Sequence, residues 1–267
     1  MEQNEKSYAI VTGATGGLGS AFVYELAMQG KPLILTGRSS EKLEKLKADI
    51  CQKFPNLEVL VCAVDLASEN SRATLDDFVR ENGKKISLLV NVAGADVQKP
   101  FTQYTQEKIT FQCRVNFEAS VALCHLALSN KAKRLEIINI SSVSGIYPMP
   151  YFAIYSATKS ALTSFSVALR EEVKKQNVAV TAILPGAMPT RDDIKEQIKG
   201  QGLWGRLAVK SPQAVAKCSL KAVRKNKKKV IVGFWNKVMR VSTAFIPNDL
   251  KLKFIAKRWS KISKDAF

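Results

Sequence analysis

Short apolar runs alternate with longer segments whose apolar positions recur every three to four residues, and this alternation organises the chain. Tyr8 to Val11 predicts a buried strand, and the glycine-rich turn after it opens a predicted helix from about Leu18 to Gln29. Pro32 to Thr36 reads as a second strand. Glu41 to Ile50 reads as a helix, because Leu43, Leu46 and Ile50 fall on one face. Leu57 to Val64, Leu88 to Val92, Leu135 to Ile140 and Val178 to Leu184 read as further short buried strands, separated by helix-length segments. Ser211-Pro212 combines an N-cap with a proline in the first helical turn and predicts a helix to about Lys225, after which Val230 to Val232 would be a seventh strand. Such alternation predicts an α/β fold: a doubly wound parallel sheet of about seven strands, covered by helices on both faces, with right-handed crossovers. Residues 1–267 are expected to form a single domain.

Composition leaves this picture intact. The chain is 46% hydrophobic and 24% charged, ordinary globular usage that suggests neither disorder nor a fibrous architecture. The start, MEQNEKSYAIVTG, lacks the pattern of a signal peptide, and no run of about 18 apolar residues predicts a membrane span. Cysteines at 51, 62, 113, 124 and 218 show no CxxC spacing, which suits free thiols and a cytoplasmic location. The only histidine, His125, has no partner set for a metal, so no metal site is expected. Charge is uneven: residues 201–267 hold 17 Lys and Arg against Asp249 and Asp265.

Thr12-Gly13-Ala14-Thr15-Gly16-Gly17-Leu18-Gly19 has the form TGxxxGxG and sits between the first strand and the first helix. Glycines there let the backbone approach a pyrophosphate, while the helix N-terminus offers unpaired N–H groups; this is how a Rossmann-type domain holds a dinucleotide. An acidic residue at the end of the second strand would bind the adenosine ribose hydroxyls, but Thr36-Gly37-Arg38-Ser39 stands there. Arg38 can meet a 2′-phosphate instead, so NADP(H) is expected in preference to NAD(H).

Tyr155 and Lys159 lie four apart, on one face of a predicted helix. A free tyrosine ionises near pH 10, and a neighbouring ammonium and an oxidised nicotinamide would both favour the phenolate. Ser142 lies thirteen residues upstream, just beyond the strand Leu135 to Ile140, where its hydroxyl can hydrogen-bond a substrate oxygen.

TGATGGLG at 12–19, NVAG at 91–94, Ser142, YSATK at 155–159 and PGAMPT at 185–190 occur together and in order, and on these the chain resembles the short-chain dehydrogenase/reductases over about residues 7–190. The resemblance implies that Tyr155 is the general acid in reduction and the base in oxidation. It implies that Lys159 also holds the nicotinamide ribose, that Ser142 orients the substrate oxygen and that Asn116 supports a proton-relay water. Gly13, Thr15, Gly16, Gly17, Leu18 and Gly19 would then cradle the cofactor phosphates, and Asp65 with Leu66 would meet the adenine. Asn91, Ala93 and Gly94 would line the crevice, with Pro185, Gly186 and Thr190 approaching the carboxamide. One departure is NVAG where the family has NNAG: Val92 removes an amide that ties strands together and should leave the chemistry intact. Ser141 and Ser144 compete with Ser142, and the thirteen-residue separation from Tyr155 favours Ser142. Family members often pair through the helices carrying Asn116 and Tyr155, so a homodimer or homotetramer is expected.

Ile146, Tyr147, Pro148, Met149, Tyr151 and Phe152, with Met188, Leu203 and Trp204, predict a greasy pocket rim and an apolar substrate such as a hydroxysteroid or a 3-oxoacyl chain. Residues about 191–210 would form a lid over it. At 235–267 a basic helical extension is expected, with Leu252, Ile255, Trp259 and Ile262 at helical spacing among lysines. It could lie on an anionic membrane surface or attract an anionic substrate; alternatively it docks on the body with its lysines in water. A pI near 9.7 and Lys227-Lys228-Lys229 would suit nucleic acid, the weaker reading. A non-catalytic redox sensor on the same fold is the other rival, and it would have little use for Asn116, Ser142, Tyr155 and Lys159 together.

Overall fold

The computed structural model describes residues 6–189 and 209–260. Seven parallel strands pair in the order β3-β2-β1-β4-β5-β6-β7. The strands are β1 (Ser7–Thr12), β2 (Leu33–Gly37), β3 (Val59–Ala63), β4 (Lys85–Asn91), β5 (Lys131–Ile140), β6 (Val178–Leu184) and β7 (Lys229–Ile231). Between them run α1 (Gly17–Ala27), α2 (Ser40–Lys53), α3 (Glu69–Glu81), α4 (Gln106–Cys113), α5 (Ala119–Ser129), α6 (Ala153–Val173) and α7 (Pro212–Arg224). After β7 come α8 (Phe234–Ala244) and α9 (Asn248–Trp259).

Alternation along β1 shows why the sheet needs two covering layers. Ala9 and Val11 face one side, where they join Leu18, Phe22 and Leu26 of α1 and Val215 and Val223 of α7. Tyr8 and Ile10 face the other, with Leu75 and Val79 of α3, Leu123 of α5 and Leu169 and Val173 of α6. A parallel strand buried on both faces reads as an unbroken apolar run, which is the signal that the sequence carries. Strand order reverses beside β1, between the turn toward β2 and the turn toward β4, and a crevice at the carboxyl ends opens at such a point.

Differences from expectation are local. β5 begins at Lys131, four residues before the apolar run, because its polar start still pairs with β4 through the register Ile86↔Lys131. The predicted basic extension divides into α8 and α9, with Pro247 as the N-cap of α9. Leu252, Ile255 and Trp259 are half-buried, and Ile262 lies outside the described residues, as do Thr190, Leu203, Trp204 and nearly all of the predicted lid.

Candidate active site

Backbone geometry makes the cradle after β1. Gly13 has φ +59°, and a Cβ there would come within 3.2 Å of the Ala93 backbone. At Gly19 a Cβ would stand 2.0 Å from the Gly13 carbonyl oxygen, so α1 can pack against the turn only without a side chain. Gly16 is the N-cap of α1 and provides no side-chain acceptor, which leaves the helix N-terminal N–H groups, in the turn carrying Thr15, Gly17 and Leu18, for an anion. Thr12 locks this turn to the β4 end: its Oγ1 accepts from the N–H groups of Val92 (2.9 Å) and Ala93 (3.0 Å). Sequence reasoning took Thr12 only as the first letter of a motif.

Arg38 is exposed at the end of β2, with its guanidinium 5.8 Å from the Phe111 ring centroid, and so reaches α4. Asp65 is also exposed; its Oδ1 accepts from the Ala67 N–H at 3.0 Å and its own N–H donates to Ser71 Oγ at 2.8 Å. Leu66 is buried. A groove lined by Asp65, Thr110, Phe111 and Arg114 lies between the β3–α3 turn and α4. Phe111 had no signal in the sequence, since only the fold brings α4 beside β2.

Asn91 faces two ways. Its side chain does not face the crevice: it is buried and donates to Asn139 Oδ1 (2.8 Å) and the Ser120 carbonyl (3.3 Å), while Asn139 donates to Ser166 Oγ (2.9 Å). That network joins β4, β5, α5 and α6, so only the Asn91 backbone remains to line a cofactor. The strand-tying amide is therefore present at 91, and Val92 packs against the core.

At the other end, four predicted residues converge. Asn116 lies in a π-helical turn, Arg114–Glu118, between α4 and α5, a distortion often found at functional sites. Fully buried, it accepts from the Ala95 N–H (2.7 Å) and donates to the Ala95 carbonyl (2.9 Å) and to Thr158 Oγ1 (3.2 Å), tying the loop after β4 to α6. Ser142 N-caps a 3-10 turn, its Oγ accepting from the Ser144 N–H at 3.1 Å, and it also shares a hydrogen bond with the Tyr155 phenol. Ser141 is used otherwise, donating to the Lys159 carbonyl at 2.7 Å and bonding Thr163 Oγ1 at 2.7 Å. Of the three serines, Ser142 meets the tyrosine.

Tyr155 begins α6 and stacks on Phe152, centroids 4.4 Å apart; Phe152 in turn stacks on Trp259 of α9 at 6.2 Å. Lys159 is one turn on, its Nζ 5.8 Å from the Tyr155 ring centroid and donating to the Ile140 carbonyl at 2.9 Å. Gly94 admits it, because a Cβ at 94 would lie 3.2 Å from that Nζ. Burial lowers the Lys159 ammonium to about 8, with the Asp96 carboxylate working against that shift. Burial, followed by Asp96, raises the Tyr155 phenol above its ordinary value, and the Ser142 hydrogen bond draws it back. Among the protein's own groups, desolvation thus sets the direction of the Tyr155 shift. Asp96, two residues beyond Gly94, was a charge that sequence reasoning passed over.

Pro185 closes this end, its carbonyl accepting from the Val143 N–H at 3.0 Å, and Gly186 lies against Asn236 of α8, which a Cβ would approach to 2.6 Å. Among the described residues no group of three or more His, Cys, Asp or Glu could hold a metal, and no helix is long and apolar enough to cross a membrane.

Known proteins are similar to this chain in sequence and in fold. A very-long-chain 3-oxoacyl-CoA reductase from Bos taurus is 33% identical over 224 residues, covering 81% of this chain and 68% of the relative; the match to the human protein of that name covers 60% of its length. L-sorbose reductase from Gluconobacter frateurii, solved with NADPH and L-sorbose, superposes with TM-score 0.75 at 26% identity, over 86% of this chain and 97% of that one. A 7beta-hydroxysteroid dehydrogenase shares the fold with TM-score 0.82 at 23% identity, over 96% and 99%. The profile of the short chain dehydrogenase family matches residues 7–199, and this chain belongs to that family of oxidoreductases.

Proposed function

We propose that the protein is an NADP(H)-dependent oxidoreductase that interconverts a ketone and a secondary alcohol on an apolar substrate. The observation that supports this most is the convergence of Ser142, Tyr155, Lys159 and Asn116 beside a glycine cradle in which Gly19 excludes a Cβ. The cradle fits a dinucleotide, with Gly13, Gly16, Gly19 and the N-terminus of α1 at the phosphates and Gly94 and Lys159 toward the nicotinamide ribose. When bound, the cofactor supplies or accepts the hydride.

The chain's own residues handle the proton. In reduction, Tyr155 gives its phenolic proton to the substrate oxygen, which Ser142 holds by its hydroxyl; a raised phenol suits a group that must be protonated before it donates. In oxidation the same phenol takes the proton back, and a cationic Lys159 nearby lowers the cost of the phenolate. Asn116 holds the loop and helix in register and supports a relay water. Arg38, with no carboxylate beside it at the end of β2, favours the 2′-phosphate, in keeping with the NADPH complex of the sorbose reductase.

An apolar substrate is supported by the half-buried Ile146, Tyr147 and Met149 around the stack of Tyr155, Phe152 and Trp259, and by the names of the acyl-CoA reductase relatives. The basic C-terminal segment suits an anionic substrate or membrane surface, and pairing through α5 and α6 would give a homodimer or homotetramer. The test is oxidation of NADPH, with NADH in parallel, across steroids, bile acids, 3-oxoacyl thioesters and small polar ketones. Turnover on the first three with NADPH is expected; preference for small polar ketones, or for NADH, would sink the corresponding part.

A further inference from the structure

The two C-terminal helices are built the wrong way round for a segment that only packs on the body. Along α8 and its C-cap, Phe234, Val241 and Phe245 recur at i, i+7 and i+11, one helical face, and they are 67%, 61% and 86% exposed. The opposite face is the docked one: Asn236 is buried and donates to the Val232 carbonyl at 2.7 Å, and Thr243 Oγ1 bonds the Tyr147 hydroxyl at 2.6 Å. α9 repeats the design, with Leu250 and Phe254 60% and 66% exposed while Trp259 turns inward to the Phe152 stack. Ile246 carries the exposed apolar surface through the turn between the helices. Scattered exposed apolar side chains are normal, but a periodic stripe on two successive helices marks an interaction surface.

We propose that this outer stripe of the α8–α9 hairpin docks on an anionic lipid bilayer. Exposed Lys237, Arg240, Lys253 and Lys257 accompany it on the same two helices, against a single acid, Asp249. Apolar residues flanked by basic ones are the composition of helices that lie in the plane of a membrane surface, with acyl chains receiving the phenylalanines and acidic headgroups the lysines. A second copy of the chain fits worse, since a two-fold interface would set these like charges against themselves. The contact is peripheral, because neither helix could cross a bilayer. The stripe used is the outer one: Leu252, Ile255 and Trp259, the positions that sequence periodicity singled out, are turned toward the protein.

Flotation of the full chain with vesicles of phosphatidylcholine, with and without phosphatidylglycerol, tests this without reference to turnover, so its outcome is independent of the proposed reaction. Binding only to the vesicles that contain phosphatidylglycerol is expected, weakening as salt rises. Replacing Phe245 and Phe254 together by Ser should lower partitioning about tenfold or more, and Lys253→Glu with Lys257→Glu should remove the lipid preference. All four side chains are solvent-facing, so unchanged thermal unfolding of the variants will show that the fold is kept. Equal partitioning of the parent and the double serine variant would overturn the proposal. So would conversion of an oligomer to monomers by the serine substitutions, which would assign the stripe to a second copy.

Discussion

The two ends of the crevice are built on different physical terms. At the adenosine end, Arg38 and Asp65 stand on exposed turns, and the cradle itself is backbone. At the reactive end, Asn116, Ser142 and Lys159 are buried, and each is hydrogen-bonded to a backbone group. A change in the first should therefore alter binding and leave folding alone. A change in the second removes a partner from a buried group and disturbs both.

The greatest loss is expected at the point where the two properties separate. Tyr155→Phe keeps the ring on Phe152 but removes the proton, so kcat should fall by about 10²- to 10⁴-fold while NADPH binding, read by fluorescence titration, persists. Retention of activity would remove Tyr155 from the reaction. Asn116→Ala comes next: it strands the Ala95 N–H and carbonyl in a buried site, and chemical denaturation should show a loss of about 1–3 kcal/mol for each orphaned group, together with lower turnover.

A pH experiment sharpens the contrast. Lys159 is lowered to about 8 in the fold against an ordinary lysine value near 10.5 in the unfolded chain, so between those values the unfolded state binds the extra proton and stability rises with pH. Above about pH 10 the raised Tyr155 phenol works in the opposite direction, because there the folded state holds the extra proton. Between pH 8 and 10 the parent should gain about 2 kcal/mol relative to Lys159→Met, measured by thermal unfolding. An identical pH dependence of the two proteins would refute burial of a charged lysine at this site.

The smallest structural effect belongs to the open end. Arg38→Asp should raise the Michaelis constant for NADPH about tenfold or more, yet leave stability within about 0.5 kcal/mol. If it also destabilised the fold, the two ends would not differ in their coupling to folding.

Much of this was legible in order along the chain. β6 spans the residues that its apolar run indicated, and Gly13, Gly16 and Gly19 could be read because a strand, a tight turn and a helix follow one another without help from distant residues. Ser142 could be chosen over its neighbours only by its spacing from Tyr155; contacts show why, since Ser141 is spent on the Lys159 carbonyl and Thr163. The role of the Asn91 side chain was not legible, because its motif lies at the crevice while the side chain points between β4 and α5. The effect of burial on Tyr155 was not legible for a related reason: spacing reveals a lysine one turn away but says nothing of desolvation or of Asp96.

Local periodicity and short motifs determined by themselves the parallel α/β framework, the cradle after β1 and the pairing of Tyr155 with Lys159, because each depends on residues within one or two elements. Which side of a helix meets the body was settled by contacts between elements distant in sequence. Along α8 and α9 every face carries apolar residues, and the choice between burying Trp259 and burying Phe254 was made by the Phe152 ring and the 143–152 loop, brought there by chain more than 80 residues away.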